Sequence, residues 1–139
     1  MKYVLILLAT LGIVVSALAL REHYRTEGDS PCSINERWDC GIVNHSPYAM
    51  LAGVPVAIFG IAGYLLMAAC AWRRAYRPLL AAALAGLAFS LYLAHVEKDI
   101  LGVWCVYCVM SLGDISLITL LAIVATLASW RQAPIKKAA

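Results

Sequence analysis

Charge is what this sequence has least of. Only 14% of its 139 residues are Asp, Glu, Lys or Arg, and of the eight acids a single one, Asp114, falls within a long apolar run. Extended polar sequence is scarce too, with one sizeable polar segment at 21–47. These absences exclude an ordinary soluble domain and leave no room in the loops for a second folded unit, so a soluble partner would be another polypeptide. The 11 basic residues are dispersed among loops instead of gathered into a patch, and the net charge of +3 carries no argument for nucleic acid. Internal repeats and low-complexity tracts are missing as well.

What is there is apolar: 63% of the residues are hydrophobic, and they are gathered in long runs. A membrane-crossing helix needs about 20 mostly apolar residues, and runs at 3–20, 49–72, 78–96 and 103–130 meet that need, the last with length to spare for tilt. The reading is an all-α integral membrane protein, a single four-transmembrane-helix bundle over residues 1–139. Lys2 before the first run and Ala17-Leu18-Ala19 at its end have the look of a signal peptide, but its apolar core exceeds the usual length of about 7 to 15 residues, and it is read as an anchor. Placing both termini in the cytoplasm puts Lys2, Arg73, Arg74, Arg77, Arg131, Lys136 and Lys137 inside, against Arg21, Arg25, Arg37 and Lys98 outside.

Several local signals refine this layout. Gly28-Asp29-Ser30-Pro31 is a cluster of turn formers. Ser46-Pro47 suits a helix start, with the serine capping free amides and the proline preset at the first helical position. Gly53-Val54-Pro55 then interrupts that helix, which predicts a short interfacial half-helix leading into the second span. Gly60, Gly63, Ala82, Ala85, Gly86 and Ser90 are small residues suited to close helix approach. Residues 73–77 make a tight inner turn and 97–102 a short outer loop. Trp38, Trp72, Trp104 and Trp130 fall at predicted interfaces, as anchors of an aromatic belt would.

With this topology four of the five cysteines meet at one surface: Cys32 and Cys40 in the first outer segment, Cys105 and Cys108 at the start of the fourth helix. Cys70 lies near the inner end of the second helix, where a buried, inert thiol is expected. A Cys-x-x-Cys that opens a helix puts both side chains on one face, within reach of a disulfide, and the helix N-terminus favours the thiolate. Cys105-Val106-Tyr107-Cys108 therefore reads as redox-active and able to face a lipid-soluble reactant. The loop pair reads as wetter and more mobile, able to face a soluble protein. Two other readings stay open: static disulfides in an oxidising compartment, and a zinc site, for which the spacing of the first pair is wide.

The ordered set Cys32-Ser33-Ile34-Asn35-Glu36-Arg37-Trp38-Asp39-Cys40, Ser46-Pro47-Tyr48-Ala49, Gly53-Val54-Pro55 and Cys105-Val106-Tyr107-Cys108 resembles the vitamin K epoxide reductase family, particularly its bacterial members. The resemblance implies a four-helix bundle around a quinone (ubiquinone or menaquinone, or vitamin K), with an extracytoplasmic redox loop at 21–48. Electrons would pass from a thioredoxin-like, DsbA-type protein to Cys32 and Cys40, then to Cys105 and Cys108, and on to the membrane quinone pool, in support of disulfide formation. No thioredoxin-like segment is fused within these residues, so that partner is expected in trans. Ser46, Tyr48 and Phe59 match positions that the family places near the quinone. Val56 and Leu112 stand at quinone-side positions where animal members have asparagine and tyrosine, which weighs against the epoxide as substrate.

The implied location is a bacterial inner membrane with the redox cysteines periplasmic. Lys136-Lys137-Ala138-Ala139 resembles a retrieval signal and supplies the alternative of an endoplasmic reticulum membrane with the cysteines lumenal. Asp114, an acid inside a span, is either a proton source or a hydrogen-bonded neutral group. His45 and His95 are proton shuttles or interfacial packing. Against the oxidase stand a thiol-driven reductase of quinone or epoxide, with the same residues, and a non-enzymatic membrane scaffold with structural disulfides.

Overall fold

A computed structural model of the chain describes residues 1–25 and 31–138, with side chains as far as residue 133. The turn expected at residues 28–30 and the lysine-bearing tail side chains lie outside the described residues. Four long helices make the body: α1 (Lys2–His23), α3 (Val56–Trp72), α4 (Tyr76–His95) and α5 (Val106–Ala138). A five-residue helix, α2 (Cys40–Asn44), and a 3-10 turn (Pro47–Ala49) lie in the first loop. Helix α1 packs along α3 and α5, and α4 packs along α5 and α3.

The solvent for which these helices are built shows in what they expose. Leu7, Leu11, Val14 and Leu18 on α1, and Leu117, Leu120, Val124 and Leu127 on α5, are all exposed on the outside of the bundle, where a soluble bundle carries charge. Three helices, Lys2–His23, Tyr76–Leu101 and Val106–Ala133, are long and apolar enough to cross a membrane. The fold is thus that of a membrane helical bundle. Helix α3 has 17 residues, about 26 Å at 1.5 Å per residue, somewhat short of a hydrocarbon core of about 30 Å.

Expected and observed boundaries differ most at 49–55. The predicted half-helix leading into the second span is replaced by the 3-10 turn and a hairpin of β1 (Met50–Leu51) with β2 (Val54–Pro55), paired Met50 to Pro55 and Leu51 to Val54. The cause is the two-residue turn between them, in which Ala52 and Gly53 have φ of 53° and 79°, the paired left-handed conformation that matches strand twist. Ser46 does stand at the N-cap position but makes no side-chain cap; its hydroxyl donates back to the Val43 carbonyl at 2.7 Å. The outer loop expected at 97–102 is instead a π-helical continuation of α4 over Val96–Leu101, ended by Gly102 with φ of 69°. The inner turn at 73–77 is present, with Arg74 left-handed at φ 56° and the Ala75 amide donating to the Cys70 carbonyl at 2.8 Å.

Small residues serve two purposes. A Cβ at Gly12 would collide with the Tyr64 ring, one at Gly60 would meet the Ser16 hydroxyl, and one at Gly86 would press on Ile115, so these are the close approaches that small residues permit. Gly63 has open space instead. The main core gathers Leu5, Met67, Leu79, Ile118 and Ala122 with Cys70. At that end Lys2 lies 4.6 Å from the centroid of the exposed Trp72 ring, and Arg77 lies 5.4 Å from that of the exposed Trp130. Trp38 and Trp104 are at the opposite end and face each other, centroids 6.4 Å apart.

Candidate redox site

The first loop is folded onto the start of α5 by backbone pairing. The Trp104 amide donates to the Arg37 carbonyl at 2.7 Å and the Asp39 amide to the Trp104 carbonyl at 3.0 Å, a short parallel bridge between residues 38 and 104. Asp39 then caps α2, its Oδ1 accepting from the Ile42 amide at 3.1 Å and the Ser33 hydroxyl at 3.0 Å. The cap starts a helix at residue 40 and points Cys40 inward. Cys32 and Cys40 are joined in a disulfide with Cα atoms 5.8 Å apart, while Cys105 and Cys108 are free thiols. Cys32, Cys40 and Cys105 share one buried cluster with Val43 and Val103, and Cys108 packs against it. The wetter environment expected for the loop pair is not found: Cys40 is 0% and Cys32 only 7% exposed, because the Trp38 to Trp104 bridge and the Asp39 cap hold that segment against Val103 and Cys105.

Asn44 ties the two pairs together. It is buried on α2, one turn from Cys40, and its Nδ2 donates to the Cys40 carbonyl at 2.8 Å and approaches Cys105 Sγ at 3.5 Å. Cys105 itself precedes α5. The Cys108 thiol, with the backbone amides of Cys108 and Tyr107, holds the Cys105 thiol below the ordinary cysteine range; burial and the nearby Glu97 carboxyl pull the other way. The neighbouring thiol is the larger influence, and the amides at the start of α5 add to it. Glu97, from the π-helical segment, is 1% exposed, and its Oε2 accepts from the Cys105 amide at 3.0 Å. Cys70 is set apart in the apolar core at the other end of the bundle.

Behind Cys108, between α1, α3, α4 and α5, lies a cavity of about 380 Å³, within the size range of small-molecule sites. Its walls include Val56, Phe59, Phe89 and Tyr107, and its few polar groups include Asn44, Cys108, Tyr64 and Ser111. Gly63 lines it as well, which is why a Cβ there meets nothing. Deep in this space Tyr64 Oη is 2.9 Å from Ser111 Oγ and interacts with Asp114, whose Oδ2 is buried without a partner. A smaller void of about 20 Å³ on the loop side is lined by Asn44, Ser46, Tyr48, Glu97 and Cys108 among others. An apolar slot with a thiol in its wall and sparse hydrogen-bonding groups could hold a flat, mostly apolar ligand, with Val56, Phe59 and Tyr107 in its apolar wall.

Of the residues read from sequence as quinone contacts, Val56 and Phe59 line the large cavity, while Ser46 and Tyr48 line the small void with Val56. Leu112 lines neither cavity. The histidines are turned elsewhere. His45 ring nitrogens lie 2.7 Å from the Gly41 carbonyl and 2.9 Å from that of Arg25, and His95 pairs with exposed Asp99 at 2.8 Å. Among the described residues no cluster of three or more His, Cys, Asp or Glu is disposed to hold a metal ion. Asn44 and Glu97 were not singled out by sequence reasoning. The available signal was Asn44's placement one helical turn after a cysteine.

Apolar helices facing outward, with two cysteine pairs gathered in one buried cluster and Cys108 on the wall of an internal cavity, define an integral-membrane oxidoreductase. The chain belongs to the vitamin K epoxide reductase family, whose sequence model matches residues 3–129. The comparison with curated proteins finds no match.

Proposed function

We propose that this protein is a quinone-dependent thiol oxidase that supports disulfide formation outside the cytoplasm, and that α3 crosses the membrane as a fourth span, its length completed by the hairpin above it. A thiolate of a separate thioredoxin-like protein attacks Cys32, displacing Cys40 as a thiolate and forming a mixed disulfide. The partner's second thiolate resolves that bond and leaves the loop pair reduced. Cys40 then attacks Cys105 of an oxidised Cys105–Cys108 pair, Cys108 leaves with the electron pair, and Cys32 resolves the new bond by attacking Cys40. The loop pair ends oxidised and the helix pair reduced. A ubiquinone or menaquinone in the large cavity would supply the two-electron acceptor for the helix pair, with Cys108, Val56 and Phe59 around it.

The observation that carries this reading is the burial of Cys32, Cys40 and Cys105 in one cluster with Cys108 on both that cluster and the cavity wall. Each exchange step needs an attacking thiolate and a reachable sulfur, and Asn44 supports both by placing a donor against Cys105 Sγ from the helix that carries Cys40. The test is complementation of a bacterium that lacks its own membrane oxidase for disulfide formation. Rescue is expected for the wild-type chain and is lost on replacing Cys32, Cys40, Cys105 or Cys108, with the Cys40→Ala chain trapped on a thioredoxin-like protein. Full rescue by Cys108→Ala would sink the relay.

A further inference from the structure

Of the buried acidic groups that the relay does not use, Glu97 is the one bonded to the redox cysteines' own backbone. Glu97 is fully buried, and among the described residues no Lys, Arg or His pairs with it. A carboxylate withdrawn from water without a counter-charge is costly, and such groups persist where they are neutral or have work to do. The bland account is that Glu97 caps α5 from outside the helix. That explains Oε2, which takes the Cys105 amide, but not Oε1, which is buried with no hydrogen-bond partner. The side chain nonetheless interacts with the Cys108 thiol, and both residues line the small void beside Asn44 and Ser46. The π-helical winding separates Glu97 from its neighbours: Lys98, Asp99 and Ile100 are exposed while Val96 and Glu97 turn inward.

We infer that Glu97 is the acid and base of the Cys-x-x-Cys pair, giving a proton to Cys108 when it leaves and taking it back before Cys108 is next oxidised. The role rests on the proposed relay. In the internal exchange, Cys40 thiolate attacks Cys105 Sγ and the Cys105–Cys108 bond breaks. The Cys40–Cys105 bond forms, the electron pair goes to Cys108 Sγ, and the Glu97 carboxylic acid delivers its proton there and becomes a carboxylate. One negative charge enters on Cys40 and one remains on Glu97. When Cys32 releases Cys105 in the next step, the leaving thiolate has the Asn44 donor, so the two leaving sulfurs are served by two different groups. The titratable groups facing Glu97 are Cys105 and Cys108; Tyr48 shares the void, Asn44 and Ser46 there do not titrate, and His95, Lys98 and Asp99 of its own element are exposed.

The test uses the full chain in detergent with both pairs oxidised, dithiothreitol as the electron donor, and acid quenching followed by mass-tagging of free Cys108. The wild-type rate is expected to rise with pH as thiolates form and then fall as Glu97 loses its proton. The Glu97→Gln chain keeps an acceptor for the Cys105 amide, and its rate is expected to be lower by about 100-fold at the wild-type optimum and to rise with pH without a falling limb. Glu97→Asp is expected to restore the falling limb at a reduced rate. A wild-type profile without a falling limb, or a Glu97→Gln profile that superimposes on wild type while the relay still runs, overturns this role alone. If a chain lacking Cys32 and Cys40 has its helix pair reduced as fast as wild type, the relay fails and this role with it.

Discussion

The two ends of this bundle are made from the same apolar helices and differ in what they bury. At one end Leu5, Met67, Leu79 and Ile118 close around Cys70 with no charged side chain among them. At the other, Glu97, Asn44 and Ser46 are buried together with three of the other cysteines. The comparison separates a thiol from a reactive thiol. Among the described residues Cys70 has an apolar surround with no charged or amide side chain bonded to its thiol, whereas Cys105 has a helix terminus beside it, the Asn44 amide approaching its sulfur and the Glu97 carboxyl on its backbone amide. Chemistry here follows from the polar groups a thiol is buried with, since burial itself is common to both ends.

Replacing one sulfur at each end tests this contrast most severely. Cys108→Ala is expected to abolish quinone reduction by purified protein supplied with a reduced thioredoxin-like donor, while Cys70→Ala leaves that rate unchanged and costs about 1 kcal/mol of stability for the small void left behind. A large loss of rate in Cys70→Ala, measured in the same assay, would erase the distinction. The next largest effect lies between the two ends. Gly63→Leu adds a side chain where the cavity is open and improves helix propensity, so the helices form while the quinone KM rises by about ten-fold, the equivalent of about 1.4 kcal/mol.

The hydropathy of the runs was enough to read the helical bundle, and the order of the cysteines along it was enough to bring four of them to one end. What the sequence did not disclose depends on contacts far apart in the chain. Asn44 meets Cys105 across 61 positions, and Glu97 looked like an ordinary member of an acidic and basic outer loop until the π winding turned it inward. Gly53-Val54-Pro55 marked a break in the second span but not its form, because the hairpin turns on Ala52 adopting a left-handed conformation that alanine rarely takes. The small residues were legible as small, but not as contact or void: Gly60 abuts Ser16 and Gly63, three positions on, faces empty space.

Smaller effects sharpen the apolar side of the comparison. Gly12→Ala drives a methyl into the Tyr64 ring and is expected to destabilise the bundle by about 1–3 kcal/mol, read as a lower Tm in detergent with the Cys32–Cys40 disulfide still formed. Smallest is Arg77→Ala, which removes the contact with the Trp130 ring. It should cost about 0.5–1 kcal/mol and leave the pH dependence of thiol exchange where it was.

The pairing of residues 37–39 with Trp104 makes chain length, more than residue identity, the quantity that variants of this site must preserve. One residue added between Trp104 and Cys105 displaces that sulfur by about 3.3 Å of extended chain and reverses the side to which it points, and one added between Trp38 and Cys40 takes the Asp39 cap or the start of α2 out of register with the bridge. An insertion ahead of Cys32 leaves the Ile34 to Trp38, Ser33 to Asp39 and Trp38 to Trp104 contacts in register. Tolerance of insertions and deletions should therefore be lopsided across this short stretch, with the ruler starting at the two tryptophans.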